Sequence, residues 1–261
     1  MNKTLTATLL LAGSLVLSPA ARSLEWQTNE IQYQYGKLDV PTFAGGGDEY
    51  VSIVTLQHAS GWKYGDNFAF VDFSNGSEQG HDIYGEAYAN FSIGKISGKD
   101  LSVGIIRDFG VIMGYNWGKE AKVRKFLPGV RTALDVPGFT FVNFDVMAYI
   151  DNNSGASAGG APKEDDSYIV DVSWAAPWSW GEHSFSFEGH MEYVGSRDNE
   201  FGEKVEGHFL AQPQLRYDLG QTLWNKADTL FVGVEFQYWD NKLGDKDTDE
   251  RATQLLAVYR F

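Results

Sequence analysis

Apolar residues recur at every second position through most of this chain, and a two-residue period belongs to strands. Residues 140–151 set Val142, Phe144, Val146, Ala148 and Ile150 against Asn143, Asp145, Met147, Tyr149 and Asp151. Residues 184–194 set Phe185, Phe187, Met191 and Tyr193 against Ser184, Ser186, Glu188, His190 and Glu192. The same rhythm runs through 208–218, 229–239 and the final segment. The 3.6-residue period of an amphipathic helix does not fit these windows. Reading the pattern end to end predicts about twelve strands, near 30–38, 49–58, 66–74, 82–94, 101–117, 122–135, 139–151, 167–175, 183–194, 207–218, 229–240 and 251–261.

Alternation alone does not say which face meets water. In a soluble sheet the apolar face is the core, whereas in a membrane barrel it faces lipid and the polar face turns inward. The two ends of the chain decide between these readings. Residues 1–21 have the make-up of an export signal: Lys3, an apolar run from Leu5 to Leu17, and the small residues Ser18, Ala20 and Ala21 around Pro19. The other end closes an alternating strand on Phe261, which resembles the terminal signature of bacterial outer-membrane barrels that their assembly machinery reads. The expected architecture is therefore all-β, a single antiparallel transmembrane β-barrel over 22–261, in the outer membrane of a Gram-negative cell.

Connection lengths and tryptophans agree with that orientation. With both ends on the periplasmic side, 59–65, 95–100, 136–138, 176–182 and 219–228 are the inner turns. The longer 39–48, 152–166 and 195–206 are outer loops, Gly-rich and acidic. Trp62, Trp178, Trp180 and Trp224 fall at inner turns and Trp117 at an outer strand end, as two interfacial girdles require. Trp239 has inward parity.

Composition excludes several roles. A formal charge of −14 argues against binding nucleic acid, which needs a basic face. With no cysteine, an exported fold must hold without disulfides. Five histidines, none in a His-x-His or His-Glu-x-x-His spacing, give no metal site, and no glycine-rich phosphate loop is present. No cofactor is expected.

If the polar faces turn inward, they gather Phe70 and Asp72, Tyr84, Glu86 and Tyr88, Asp145, Asp171, Glu188, Arg216 and Glu235 with Asp135 around a narrow pore. Aromatic rings mixed with carboxylates suit a flat polar solute, stacked on a face and hydrogen-bonded at its edge. Weak binding repeated along a path allows passage. Two other functions are open to such a barrel. One is an outer-membrane hydrolase using Ser184 or Ser186 with His190 or His208 and Glu188 or Glu192. The other is a surface receptor or adhesin acting through the acidic loops, which could also bind divalent cations bridging lipopolysaccharide.

Phe91-Ser92-Ile93-Gly94-Lys95, followed by Gly98-Lys99-Asp100-Leu101-Ser102-Val103-Gly104, resembles the FSI-x-K and DLS-x-G segment of the Tsx/OmpK group. Phe68-x-Phe70-x-Asp72 and the segment Gly129 to Asp135 resemble two further strands of that group. Its members are nucleoside-specific outer-membrane channels, some also used as phage receptors. The resemblance implies a monomeric twelve-stranded channel with nucleoside sites along its lumen. It carries over Phe70, Asp72, Glu86 and Asp135 as lining positions. One strand departs: the group has basic residues where the inward positions here read Ile169, Asp171 and Ser173. That departure makes the interior more acidic and suits a neutral or cationic solute.

Overall fold

The computed structural model describes residues 24–261; the expected export signal at 1–21 lies outside them. Twelve antiparallel strands close on themselves: β1 (Leu24–Asp39), β2 (Asp48–Trp62), β3 (Gly65–Gly76), β4 (Gly80–Ser92), β5 (Ile106–Gly118), β6 (Arg124–Leu134), β7 (Phe141–Asp151), β8 (Ser167–Trp180), β9 (His183–Val194), β10 in two pieces (His208–Ala211 and Gln214–Asp218), β11 (Leu230–Asp240) and β12 (Glu250–Arg260). Each pairs with its sequence neighbours. β12 pairs with β1 from Glu30↔Arg260 to Tyr35↔Leu255, so among the described residues the barrel has no open strand edge. The seam is finished by the last residue, since Phe261 N–H donates to Asn29 O at 2.9 Å and Asn29 N–H donates to Phe261 O at 3.3 Å.

Orientation is settled by which parity is covered. Along β12, Glu250, Ala252, Gln254, Leu256 and Val258 are buried. Gln254 is 0 % exposed, while its neighbour Leu255 is 66 % exposed. β1 buries Glu30, Gln32 and Gln34 and exposes Ile31, Tyr33 and Tyr35. Phe144 and Phe187 point outward and are exposed by 39 % and 37 %. A wall of Leu, Val, Tyr and Phe facing water would forfeit roughly 25 cal/mol for every Å². Facing lipid, it is the stable side, and a closed ladder pairs the strand backbone internally.

Several strand ends differ from the sequence expectation; β1 starts earlier, at Leu24, and β2 runs on to Trp62. The fourth strand stops at Ser92, whose hydroxyl caps the short helix α1 (Ile93–Ser97) by accepting from Lys95 N at 3.0 Å. The fifth strand starts at Ile106, not near 101; Val103 and Ile106 form a tight isolated bridge before it. Asp108 bonds the Ser92 hydroxyl and accepts from Gly94 N, tying α1 to the start of β5. The eighth strand runs on past 175 to Trp180, which places Trp178 and Trp180 in the strand itself. The connection after β10 carries a second helix, α2 (Leu219–Trp224), capped by Asp218 accepting from Gln221 N at 2.8 Å. Trp62 ends β2. Trp224 closes α2 and is exposed at the end of the barrel where β1 starts and β12 ends.

Candidate functional site

Inward parity alone does not make a residue reachable, because much of the interior is packed. On one side, β5, β6 and β7 bring Ile112, Leu127 and Met147 together with Ile169 and Val194 as a buried apolar cluster against Tyr88 and Tyr149. On the other side, β10, β11, β12 and β1 fill the interior with amides and ion pairs. Glu235 accepts from Gln214 Nε2 at 2.6 Å and Gln254 Nε2 at 2.9 Å. Gln214 Nε2 also reaches Gln32 Oε1 at 3.3 Å, across two intervening strands.

Between these packed sides lie two half-buried walls on nearly opposite arcs of the barrel. The first is aromatic, with Phe68, Phe70 and Asp72 on β3 and Tyr84 and Tyr88 on β4. The rings form a chain, Phe68 to Phe70 at 6.1 Å and Phe70 to Tyr84 at 6.2 Å between centroids. The second is ionisable, with Asp171 and Ser173 on β8 and Glu188, His190 and Glu192 on β9. His190 Nδ1 lies 3.9 Å from Asp171 Oδ2, and its Nε2 pairs with Gln212 Oε1 at 2.9 Å.

Local sequence explains the aromatic wall. Gly114 on β5 stands opposite Tyr88. A β-carbon there would sit 2.4 Å from the Tyr88 ring, so glycine is what lets that ring lie against the strand. Glu86, between the two tyrosines, accepts from Tyr84 Oη at 2.6 Å, Tyr88 Oη at 2.9 Å and Asn116 Nδ2 at 3.0 Å. Its carboxylate is buried and engaged on both oxygens, and what it presents to the interior is the pair of rings it holds. Asp72 takes one bond, from Thr55 Oγ1 at 2.6 Å.

The structure separates the sequence-predicted positions into three groups. Phe70, Asp72, Tyr84, Tyr88, Asp171 and Glu188 lie on the half-buried walls. Glu86, Asp145, Arg216 and Glu235 face inward but are buried in polar networks. Arg131 grips Asp145 in two-point fashion, Nε to Oδ1 at 2.8 Å and Nη2 to Oδ2 at 2.6 Å, and reaches across to Asp66 Oδ1 at 2.9 Å. Arg216 bridges Glu30 at 3.2 Å and Glu188 at 3.0 Å, and Arg260 bridges the same two carboxylates at 2.6 and 3.3 Å. Asp135 stands apart: β6 ends at Leu134, and Asp135 is exposed in the following turn. A two-residue period counted past a strand's end assigns a face that the turn no longer has. His190 and Glu192, inward by the same parity as Glu188, join the ionisable wall. Phe68 joins the aromatic wall without having been singled out as a lining residue; its parity with Phe70 was the signal available.

The hydrolase arrangement is not formed. Ser186 donates to Glu188 at 2.5 Å, Ser184 pairs with Ser179, and His190 is turned to Gln212. Neither candidate serine meets an imidazole base. Trp239 does face inward, buried beside His208 with ring centroids 5.7 Å apart.

Comparisons with known proteins point to one family. A family model described as "Nucleoside-specific channel-forming protein, Tsx" matches residues 21–261. The outer membrane protein OmpK of Vibrio parahaemolyticus is 22 % identical over 267 aligned residues, 95 % of this chain and 94 % of that one. Among solved structures, a KdgM porin superposes with a TM-score of 0.48 at 9 % identity, over 89 % of this chain and 99 % of its own. A NanC porin gives 0.48 at 11 % identity, over 88 % and 98 %.

Proposed function

Because the chain belongs to the Tsx family of channel-forming proteins, we propose that this outer-membrane barrel passes nucleosides, or planar solutes of similar size, between its aromatic and ionisable walls. It is a channel of the bacterial outer membrane and not an enzyme. The observation that carries the solute assignment is the pairing of a ring-faced wall with a hydrogen-bonding one. A nucleobase stacks on Phe68, Phe70 and the tyrosines, while ribose hydroxyls and exocyclic amines donate to Asp171 and Glu192.

Residues 1–21 are, on this reading, an export signal removed before assembly. The lack of a cation at inward Ile169, Asp171 and Ser173 favours solutes that donate hydrogen bonds or carry positive charge over phosphorylated ones. Liposome swelling with nucleosides, nucleotides, sugars and amino acids tests the assignment. Nucleosides should enter fastest and nucleotides slowly. Equal rates for sugars and nucleosides of matched size would remove the specific part of the reading. Phe70→Ala should weaken block of single-channel current by adenosine about tenfold, since one lost stacking partner is worth about 1 kcal/mol or slightly more.

A further inference from the structure

The outer end of the barrel contains a buried ion cluster that the solute walls do not use. Lys125 on β6 and Tyr149 on β7 point inward near that end. Lys125 Nζ bonds Asp151 Oδ1 at 2.6 Å and Glu164 Oε2 at 2.5 Å. Glu164 comes from the long connection 152–166, and the same Oε2 accepts from Arg197 Nε at 2.7 Å. Arg197 comes from the other long connection, 195–207. The Tyr149 ring lies against both cations, 5.1 Å from Lys125 Nζ and 5.0 Å from the Arg197 guanidinium. All four charged side chains are largely buried.

The two connections are also welded to each other. Asp165 N–H donates to Asp198 O and Glu200 N–H to Lys163 O, both at 2.8 Å. Glu164 and Asn199 form a bridge, and Arg197–Asp198 pairs with Lys204–Val205 in a small ladder. The Glu200 carboxylate accepts from Ala156 N at 2.8 Å and Lys163 N at 3.2 Å. The loops therefore form one body, and the Glu164 carboxylate ties both of them to Lys125 on the inner wall.

We propose that Glu164 pins both long loops inward, making the Lys125–Asp151–Glu164–Arg197 cluster a fixed outer constriction that sets what enters the channel. The inference rests on the channel reading. Two cations and two carboxylates leave the constriction neutral overall while Glu164 is in place. Neutralising Glu164 alone leaves both long loops without their shared anchor and one uncompensated positive charge at the entrance. The energetic logic is that of any desolvated ion group: it holds only while every member is paired.

The test uses the full-length protein folded in detergent and then in planar bilayers, as wild type, Glu164→Gln and Glu164→Asp. Amide exchange over 152–166 and 195–207 reads the pin, and conductance with reversal potential in a potassium chloride gradient reads the constriction. In Glu164→Gln, loop exchange should accelerate at least about tenfold. Conductance should rise about twofold, and ion preference should move towards chloride. Glu164→Asp, which keeps the charge, should restore the wild-type preference. Unchanged exchange in Glu164→Gln overturns the pin. Faster exchange with unchanged conductance and reversal potential overturns the constriction. A folded wild type that carries no current overturns the channel reading itself, an outcome told apart because the silent protein is then the unaltered one.

Discussion

At Arg131 two carboxylates depend on one guanidinium. Asp145 receives both ends of a forked pair, and Asp66 is held from across the interior. Removing the cation would leave Asp145, itself 2 % exposed, charged and unpaired. Arg131→Ala should lower unfolding stability by about 3–5 kcal/mol, measured as the shift in urea midpoint of the folded barrel. Arg131→Lys should recover part of this and no more, since an ammonium cannot fork. Glu86 behaves differently. Its three donors are two phenols and an amide, so Glu86→Ala should disorder the aromatic wall and weaken nucleoside block while leaving the barrel assembled. An Ala variant that binds as the wild type does would mean the rings need no such support. Most of the inward positions were readable from parity, but parity could not say that Asp145 and Arg216 are consumed by partners while Asp171 is left facing the gap. That depends on strands far apart in sequence meeting across the interior.

Among the elements, β12 and the outer loops carry the clearest consequences. β12 closes the barrel on β1, and the chain end takes part in the closure, because Phe261 makes two main-chain bonds to Asn29. Deleting Phe261 removes both bonds together with the ring stacked on Tyr259 at 5.9 Å. Assembly into outer membranes, read as the heat-modifiable shift on gels, should fall several-fold, and undiminished insertion would count against a role for the terminal aromatic. In the outer loops, burial pushes the Glu164 carboxyl up, but Arg197 and Lys125 beside it outweigh that and hold it below the ordinary 4.5. Asp151, the Tyr149 ring and the buried His208 also lie by the cluster. A depressed carboxylate contributes stability that is present above the unfolded value and is lost as pH falls through the folded one. Loop protection from amide exchange should therefore persist from neutrality down to 4.5 and be lost only below it. The element boundaries that the sequence misplaced, at Ser92 and Ile106, flank a mixed stretch in which the Ser92 side chain caps a short helix. Its spaced Ile, Leu and Val residues, set among glycines and charges, do not mark where the strands end.

For the whole molecule the governing fact is inversion. Outward Val146 is 40 % exposed while inward Asp145 is covered, so substitutions should be judged by face and not by polarity. Val146→Arg puts a charge against lipid and should cost about 2–4 kcal/mol near the bilayer midplane. Measuring the folding free energy in lipid vesicles checks this, and a cost near zero would mean that this face does not meet hydrocarbon.

The sequence by itself determined the strand count and the sorting of side chains into two faces, because a strand's period is local and survives without knowledge of its neighbours. It also carried the family resemblance in residues 91–104. Only the tertiary structure decided which inward residues stay accessible. Glu30 and Arg216 meet across the interior from strands far apart in the chain, and Glu164 reaches Lys125 from a loop whose sequence has no period at all. Those contacts arise from ring closure, which brings distant segments face to face and lets charge pairing, unlike alternation, depend on the whole circle.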